Sequence, residues 1–72
     1  MDLKVAIYRH VLEPKYIKIY QYIEEVSRTN RISITYSHRK DIVNILADVI
    51  AIKEKYGIDY SEDLELLQKY NN

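Results

Sequence analysis

Two stretches of the chain carry apolar residues at three- and four-residue spacing, which is the pattern of an amphipathic helix. The first stripe consists of Tyr16, Ile19, Tyr20, Ile23 and Val26. The second stripe consists of Ile42, Ile45, Leu46, Val49, Ile52 and Tyr56. We therefore predict helices over residues 14–28 and 38–56. Pro14 suits the first turn of one helix, where its missing N–H costs nothing, and Ser37 is placed to cap the other.

A third, shorter helix is predicted near the end of the sequence. Gly57, the only glycine, fits the left-handed position that follows a helix, with Ile58 as the apolar residue after it. Ser61 is then placed to cap a helix over residues 62–70, whose first turn is acidic, as the helix dipole favours. Its apolar side would consist of Leu64, Leu67 and Tyr70.

The first dozen residues allow two interpretations. Leu3, Val5 and Ile7 alternate as in a strand, whereas Leu3 and Ile7 would also share one face of a helix. Pro14 is expected to end either element. Of the two, we favour the strand for residues 3–11.

Residues 31–36 alternate strictly between polar and apolar side chains. One face carries Arg31, Ser33 and Thr35, and the other carries Ile32, Ile34 and Tyr36. Because β-branched residues dominate, the alternation predicts a half-buried strand. Together with the helices, this strand predicts a small α+β fold. It is a single domain, 1–72, in which residues 1–29 are an N-terminal extension and residues 30–72 form a strand–helix–helix unit.

Length and composition exclude several classes of protein. A chain of 72 residues is too short for a two-domain enzyme or a deep cofactor cleft, and it buries little surface without a partner chain. Its hydrophobic fraction of 47% is too high for a disordered chain. Because there is no Cys, neither a disulfide nor a thiolate metal site can form. We see no signal peptide and no membrane span, so we expect a soluble, cytoplasmic protein.

The net charge is zero, but the charges are distributed unevenly along the chain. Residues 1–40 contain eight cations and four acids, whereas residues 41–72 contain three cations and seven acids. No acid lies between Glu25 and Asp41, a stretch that holds four cations and several Ser, Thr and Asn side chains. Such an asymmetry indicates a surface that binds a polyanion. It is equally compatible with a basic patch that meets an acidic partner, or with chance in a short chain.

Catalytic chemistry has little support in the sequence. His10 and Glu13 are three residues apart, but two ligands do not make a metal site. Ser37, His38 and Asp41 have the composition of a catalytic triad. They would lie within one helix start, where an attack geometry with an oxyanion hole cannot form, and a helix cap explains them more simply. No Gly-rich loop is present to bind a phosphate. We predict no enzyme, no metal site and no cofactor.

The polar face of the predicted strand suggests a function. Arg31 can bind guanine edges in a bidentate manner, and the hydroxyls of Ser33 and Thr35 can bond either donors or acceptors. A single strand cannot fill the major groove of DNA, but two antiparallel strands can. Pairing across a two-fold axis would also cover the strand edge, so the same segment predicts a homodimer. An ordinary strand with a solvated polar face fits the pattern equally well.

The segment NRISITYS at residues 30–37 is followed by a helix, a Gly turn and a Ser-capped helix, and it resembles the ribbon-helix-helix repressors of the Arc and CopG type. The resemblance covers residues 30–72. It implies base contacts from Arg31, Ser33 and Thr35. It also implies a shared dimer core of Ile32, Ile34 and Tyr36.

We therefore predict a homodimeric, sequence-specific DNA-binding protein that acts as a transcriptional regulator on double-stranded DNA. Three further cations beside the strand would hold the DNA backbone: Arg28, Arg39 and Lys40. Affinity would then fall steeply with salt, because each phosphate contact releases about one counterion.

A second hypothesis belongs to another class of protein. It is a small protein–protein interaction module, an accessory subunit or inhibitor of a larger partner, with no nucleic-acid binding. The high apolar content, the eight Tyr and the acidic C-terminal half favour it. Asp59, Glu62 and Asp63, at the start of the last predicted helix, would also repel a DNA phosphate.

Overall fold

The computed structural model describes residues 2–71, and every regular element in that range is helical. The elements are α1 (Leu3–Ile7), a π-helical segment (Tyr8–Leu12), α2 (Glu13–Arg28), α3 (Ile32–Lys55) and α4 (Ser61–Asn71). α1, the π-helical segment and α2 follow one another without a break and form one long helix. α3 returns along α2, and α4 returns along α3, so the bundle is elongated, with extents of 43 × 20 × 14 Å. No helix within residues 2–71 is long and apolar enough to span a membrane.

The predicted α+β fold is wrong, because residues 31–36 form no strand. Arg31 occupies the N-cap position of α3, and residues 32–36 are its first turns. The predicted helical stripe begins at Ile42. In the structure it continues towards the N-terminus at four-residue spacing, through His38 to Ile34, and both of these residues are half-buried. A strand needs a partner strand for its N–H and C=O groups, and none is present among residues 2–71, whereas a helix satisfies those groups locally. Helical periodicity therefore outweighs the β-branched alternation, since strand propensity depends on packing context.

The start of α3 also differs from the prediction that Ser37 caps it. Ser37 is an exposed residue inside the helix. The chain turns instead at Thr29, whose hydroxyl accepts a hydrogen bond from the Arg31 N–H at 3.2 Å. The first helical bond joins the Thr35 N–H to the Arg31 carbonyl at 3.1 Å. α2 and α3 are thus connected by three residues, which forces them to pack side by side in opposite directions.

The N-terminal segment is helical, which contradicts the strand favoured for residues 3–11. Asp2 caps α1 by accepting a backbone hydrogen bond with its side chain. Pro14 does not end the helix. The turn before it widens to π geometry, so that the Glu13 N–H bonds to the carbonyl of Tyr8, five residues earlier. This wider turn accommodates a residue that lacks an N–H and whose ring would clash with a carbonyl four residues back.

The turn between α3 and α4 confirms the role predicted for Gly57. Its φ of 68° is left-handed, and the Ile58 N–H bonds to the Lys53 carbonyl at 2.8 Å, as in a Schellman motif. Asp59, rather than Ser61, provides the cap of α4. Its carboxylate accepts the Ser61 N–H at 3.2 Å and the Ser61 hydroxyl at 2.6 Å. These hydrogen bonds lower the pKa of Asp59 below its ordinary value.

The core consists of two small clusters that lie along α3. One cluster contains Ile7, Leu12 and Val49, and the other contains Ile19, Ile42 and Leu46. Tyr16 and Ile45 pack against both clusters, and Leu66, Leu67 and Tyr70 of α4 cover the second. Most of the predicted stripes are thus confirmed as core. Tyr20, Leu64 and Tyr56 are the exceptions, because they are 62%, 40% and 38% exposed.

Candidate functional site

A groove of about 600 Å³ runs between α2 and α4, which both pack against α3. We call it the α2–α4 groove. Its lining residues are Tyr8, Glu13, Tyr16, Ile17, Tyr20, Lys53, Glu62, Asp63 and Leu66. Because α2 and α4 are both antiparallel to α3, they run in the same direction along the two walls. The groove is therefore a channel between parallel helices.

One wall of the α2–α4 groove is a row of aromatic rings. The ring centroid of Tyr16 lies 6.4 Å from that of Tyr8 and 6.4 Å from that of Tyr20. Tyr8 is 52% exposed, and Ile17, on the same wall, is also 52% exposed. Isolated apolar residues are ordinary on a protein surface, whereas a contiguous group of large ones is typical of a binding surface.

The floor of the groove is a buried ion pair. The Nζ atom of Lys53 lies 2.6 Å from Oδ2 of Asp63, and the Tyr16 hydroxyl donates a hydrogen bond to Oδ1 of the same carboxylate. Lys53 is 9% exposed and Asp63 is 5% exposed. The Lys53 ammonium also lies 5.3 Å from the centroid of the Tyr16 ring, within cation–π range. The three side chains satisfy one another and tie α2, α3 and α4 together.

The surroundings of Tyr16 and Lys53 favour the protonated form of both side chains. Burial raises the pKa of Tyr16 to about 12, and its hydrogen bond to Asp63 acts in the same direction. Burial by itself would lower the pKa of Lys53, but hydrogen bonds with Asp63 and Tyr16 outweigh it, so the pKa of Lys53 is raised. Lys53 therefore keeps its proton at neutral pH, whereas a nucleophilic lysine needs a lowered pKa. The three side chains therefore position the helices relative to one another, and neither Lys53 nor Tyr16 is an activated nucleophile.

The rim of the groove is acidic. Glu13 on α2 and Glu62 on α4 are both exposed, and neither takes part in the ion pairs formed among residues 2–71. Because Lys53 neutralises Asp63, the two rim carboxylates are uncompensated charges of the lining. Over the same described range, no three His, Asp or Glu side chains are placed to hold a metal ion. The groove is thus apolar along one wall and negative at its edges.

The three residues predicted to contact DNA bases do not form one surface. Arg31 and Ser33 are exposed, whereas Thr35 is half-buried. Side chains two residues apart share a face on a strand, but on a helix they point to nearly opposite sides. The helical conformation of residues 32–36 therefore removes the flat polar face on which base contact was predicted.

Two of the cations predicted to hold the DNA backbone are engaged within the bundle. Arg28 forms an ion pair with Glu24 on the exposed side of α2. The Arg39 guanidinium donates a hydrogen bond to the Lys69 carbonyl at 3.3 Å. It also lies 5.7 Å from the centroid of the Tyr70 ring. Lys40 is exposed.

The predicted dimer-core residues are separated in the same way. Ile32 is 86% exposed and Tyr36 is 71% exposed, and their four-residue spacing places them on one helix face. Ile34 is half-buried and lies on another face. The three residues of the predicted dimer core are therefore divided between the surface and the bundle interior.

His38 of α3 contacts two residues of α2. This contact lies near the start of α3, at the opposite end of the bundle from Lys53 and Asp63. Its Nε2 atom lies 2.6 Å from an Oε2 atom of Glu25, and its ring centroid lies 4.8 Å from that of Tyr22. The buried Nδ1 atom has no hydrogen-bond partner among residues 2–71. The histidine thus connects the two helices through its contact with Glu25 and its packing against the Tyr22 ring.

The residues that form the α2–α4 groove were not identified from the sequence, although one signal was present. The fully buried positions of α3 are Ile42, Leu46 and Val49, and the next position in that row is Lys53. A lysine that continues a buried stripe indicates a buried partner of opposite charge. Asp63 could not be identified as that partner, because doing so requires the packing of α4 on α3.

Comparisons with known proteins found no family model, no curated protein and no solved structure that matches this chain. The resemblance to ribbon-helix-helix repressors stays a prediction, and it has lost the strand on which it depended. The groove and its charges are therefore the features of the molecule that indicate a function.

Proposed function

We propose that this chain is a protein–protein interaction module that receives an α-helix of a partner in the α2–α4 groove. The observation that carries the proposal is the row of exposed large side chains along the groove, above all Ile17 and Tyr20, which are 52% and 62% exposed. Burying apolar surface contributes about 25 cal/mol for each Å² removed from water. The exposed side chains do not make this contribution in the isolated chain, and they would make it when a partner covers them.

The shape of the groove favours a helical partner. Two parallel helices form its walls, and a third helix lies beneath them. An amphipathic helix binds such a channel through apolar side chains at positions i, i+3, i+4 and i+7. The row of tyrosines provides flat, rigid contact surface, and tyrosine is enriched among the residues that dominate binding energy.

The charge of the rim favours a basic partner. Glu13 and Glu62 flank the apolar wall and lack ion-pair partners among residues 2–71. Lysine or arginine side chains beside the apolar positions of a bound helix would pair with them. Complementary charge of this kind accelerates association and disfavours acidic competitors. DNA is disfavoured at this site for the same reason, because its phosphates would approach two carboxylates.

The proposal is tested with two fluorescein-labelled helical peptides that share one leucine pattern. One peptide carries lysine at its polar positions, and the other carries glutamate. In fluorescence anisotropy, the lysine peptide should bind the chain at least about tenfold more tightly than the glutamate peptide. Ile17→Ser combined with Tyr20→Ser should abolish this binding. Gln21→Ser, an exposed change elsewhere on α2, should leave it intact.

Two results would contradict the proposed function. One is the absence of binding by the lysine peptide at millimolar concentration. The other is binding that survives the Ile17→Ser and Tyr20→Ser changes, because the peptide would then occupy another surface. Circular dichroism of each variant establishes that the helices are retained.

A further inference from the structure

A second exposed patch lies at the start of α3. Ile32 and Tyr36 are 86% and 71% exposed and lie one helical turn apart, and Lys40 continues the same row. Arg31 precedes this row at the N-cap position. We call Arg31, Ile32, Tyr36 and Lys40 the basic tip.

No ion pair among residues 2–71 compensates the charge of the basic tip. Neither Arg31 nor Lys40 takes part in the ion pairs formed among residues 2–71. The first turn of α3 contains no acidic residue, and no acid occurs in the sequence between Glu25 and Asp41. The positive end of the helix dipole adds to the charge. The tip is thus a helix with apolar residues four positions apart, flanked by cations.

These are the features that the α2–α4 groove requires of its occupant. The groove offers an apolar wall with an acidic rim, and the tip offers two large apolar side chains with cations on either side. We propose that the groove of one chain is occupied by the basic tip of a second copy of the same chain. The inference rests on the proposed function and names the partner.

The geometry of the bundle permits both contacts at once. The groove reaches Lys53, near the end of α3, whereas the tip lies at the start of α3. The two patches therefore lie toward opposite ends of a rod that is 43 Å long. When two such rods pack in antiparallel orientation with the tip and the groove of each facing the other copy, each tip lies beside the groove of the other copy. A two-fold dimer with two identical contacts satisfies this arrangement.

Opposite charges face each other at both contacts of this dimer. Each copy supplies Arg31 and Lys40 to one contact and Glu13 and Glu62 to the other. Screening by salt should weaken the association, because the rim charges are exposed.

The test uses the full-length chain in sedimentation equilibrium and two double variants. One variant carries Glu13→Lys and Glu62→Lys, and the other carries Arg31→Glu and Lys40→Glu. The wild-type chain should associate with a concentration dependence that fits a dimer. Each double variant alone should dissociate at least about tenfold more readily, because its groove and tip then carry charges of the same sign.

Mixing the two variants provides the decisive measurement. In the mixed pair, a basic groove meets an acidic tip and an acidic groove meets a basic tip, so both contacts are restored. An equimolar mixture should therefore form dimers about as readily as the wild type. Glu54→Lys and Lys18→Glu are matched controls at exposed positions outside both patches, and they should leave association within about twofold of the wild type.

Three results would overturn the inference. They are a wild-type chain that stays monomeric at millimolar concentration, double variants that associate as the wild type does, and a mixture that fails to restore the dimer. If the chain is monomeric but still binds the lysine peptide in the groove, the proposed function stands and the second copy is the wrong partner. If both measurements fail, the groove is not a binding site.

Discussion

The ammonium group of Lys53 lies 2.6 Å from a carboxylate oxygen of Asp63, and this buried pair joins the end of α3 to the start of α4. The pair lies beneath the α2–α4 groove, and its carboxylate accepts a hydrogen bond from Tyr16, the central residue of the aromatic wall. Removing two charges from water is expensive, and their mutual attraction offsets that expense only when both partners are present. The pair therefore fixes the position of α4 on α3, and its net contribution to the free energy of unfolding is small.

Removing one member of the pair should destabilise the bundle more than removing both. Lys53→Met leaves a buried carboxylate with only the Tyr16 hydroxyl as partner, and we expect a loss of about 3–5 kcal/mol in the free energy of unfolding. Lys53→Met combined with Asp63→Leu should recover at least about 2 kcal/mol of that loss, because no buried charge remains. Urea unfolding followed by circular dichroism measures both values. A double variant that is less stable than Lys53→Met would contradict this account.

The stability of the bundle should fall at alkaline pH through Tyr16. Its folded pKa of about 12 lies above its ordinary value of 10.0, so the folded state disfavours ionisation of the phenol. The resulting stabilisation is complete below about pH 10 and is lost as the pH rises towards 12. The raised pKa of Lys53 acts in the same direction, since the protonated form is favoured in the folded state.

Tyr16→Phe separates this contribution from that of the other groups. The unfolding free energy of the wild type should fall as the pH rises from 10 to 11.5. In Tyr16→Phe this fall should be less steep, by an amount that corresponds to the release of up to about one proton. Guanidinium unfolding at a series of pH values measures the slope. Tyr20→Phe is the matched control, because it makes the same chemical change at a position of α2 that is 62% exposed. Equal slopes for the wild type and Tyr16→Phe would show that Tyr16 has no role in the alkaline transition.

Sequence periodicity predicted most of the helices and most of the core. Ile19, Ile42, Leu46 and Val49 were assigned to buried stripes and are fully buried. The left-handed turn at Gly57 was also predicted, because a single residue type and the apolar residue after it identify that motif. These features depend on local spacing, which a sequence displays directly.

The errors arose where the outcome depends on distant parts of the chain. Residues 31–36 alternate as a strand does, but no other segment within residues 2–71 provides a partner strand, so helix formation satisfies the backbone. Pro14 was expected to end a helix, but a single π turn lets the helix continue through it. The α2–α4 groove depends on how α4 packs on α3, which no local pattern displays.

Gly57 should resist replacement by alanine. Its φ of 68° is disfavoured for a residue with a β-carbon, although a β-carbon there would meet no atom within 4 Å. We expect Gly57→Ala to lower the free energy of unfolding by about 1–2 kcal/mol through backbone strain alone. Gly57→Asn should lose less, since asparagine tolerates the left-handed region better. Thermal unfolding ranks the two, and an alanine variant as stable as the wild type would show that the turn relaxes to another conformation.

Two substitutions along the same bundle should separate binding from stability. Leu46 is fully buried, and Leu46→Ala should lower the free energy of unfolding by about 2–5 kcal/mol because it leaves a cavity in the core. Tyr20 is 62% exposed on the wall of the groove, so Tyr20→Ser should change the unfolding free energy by no more than about 0.5 kcal/mol. Urea unfolding measured at a concentration where the chain is monomeric checks both values, since association would add to the apparent stability. A large loss for Tyr20→Ser in the monomer would mean that the aromatic row supports the fold, and its exposure would then no longer argue for a partner.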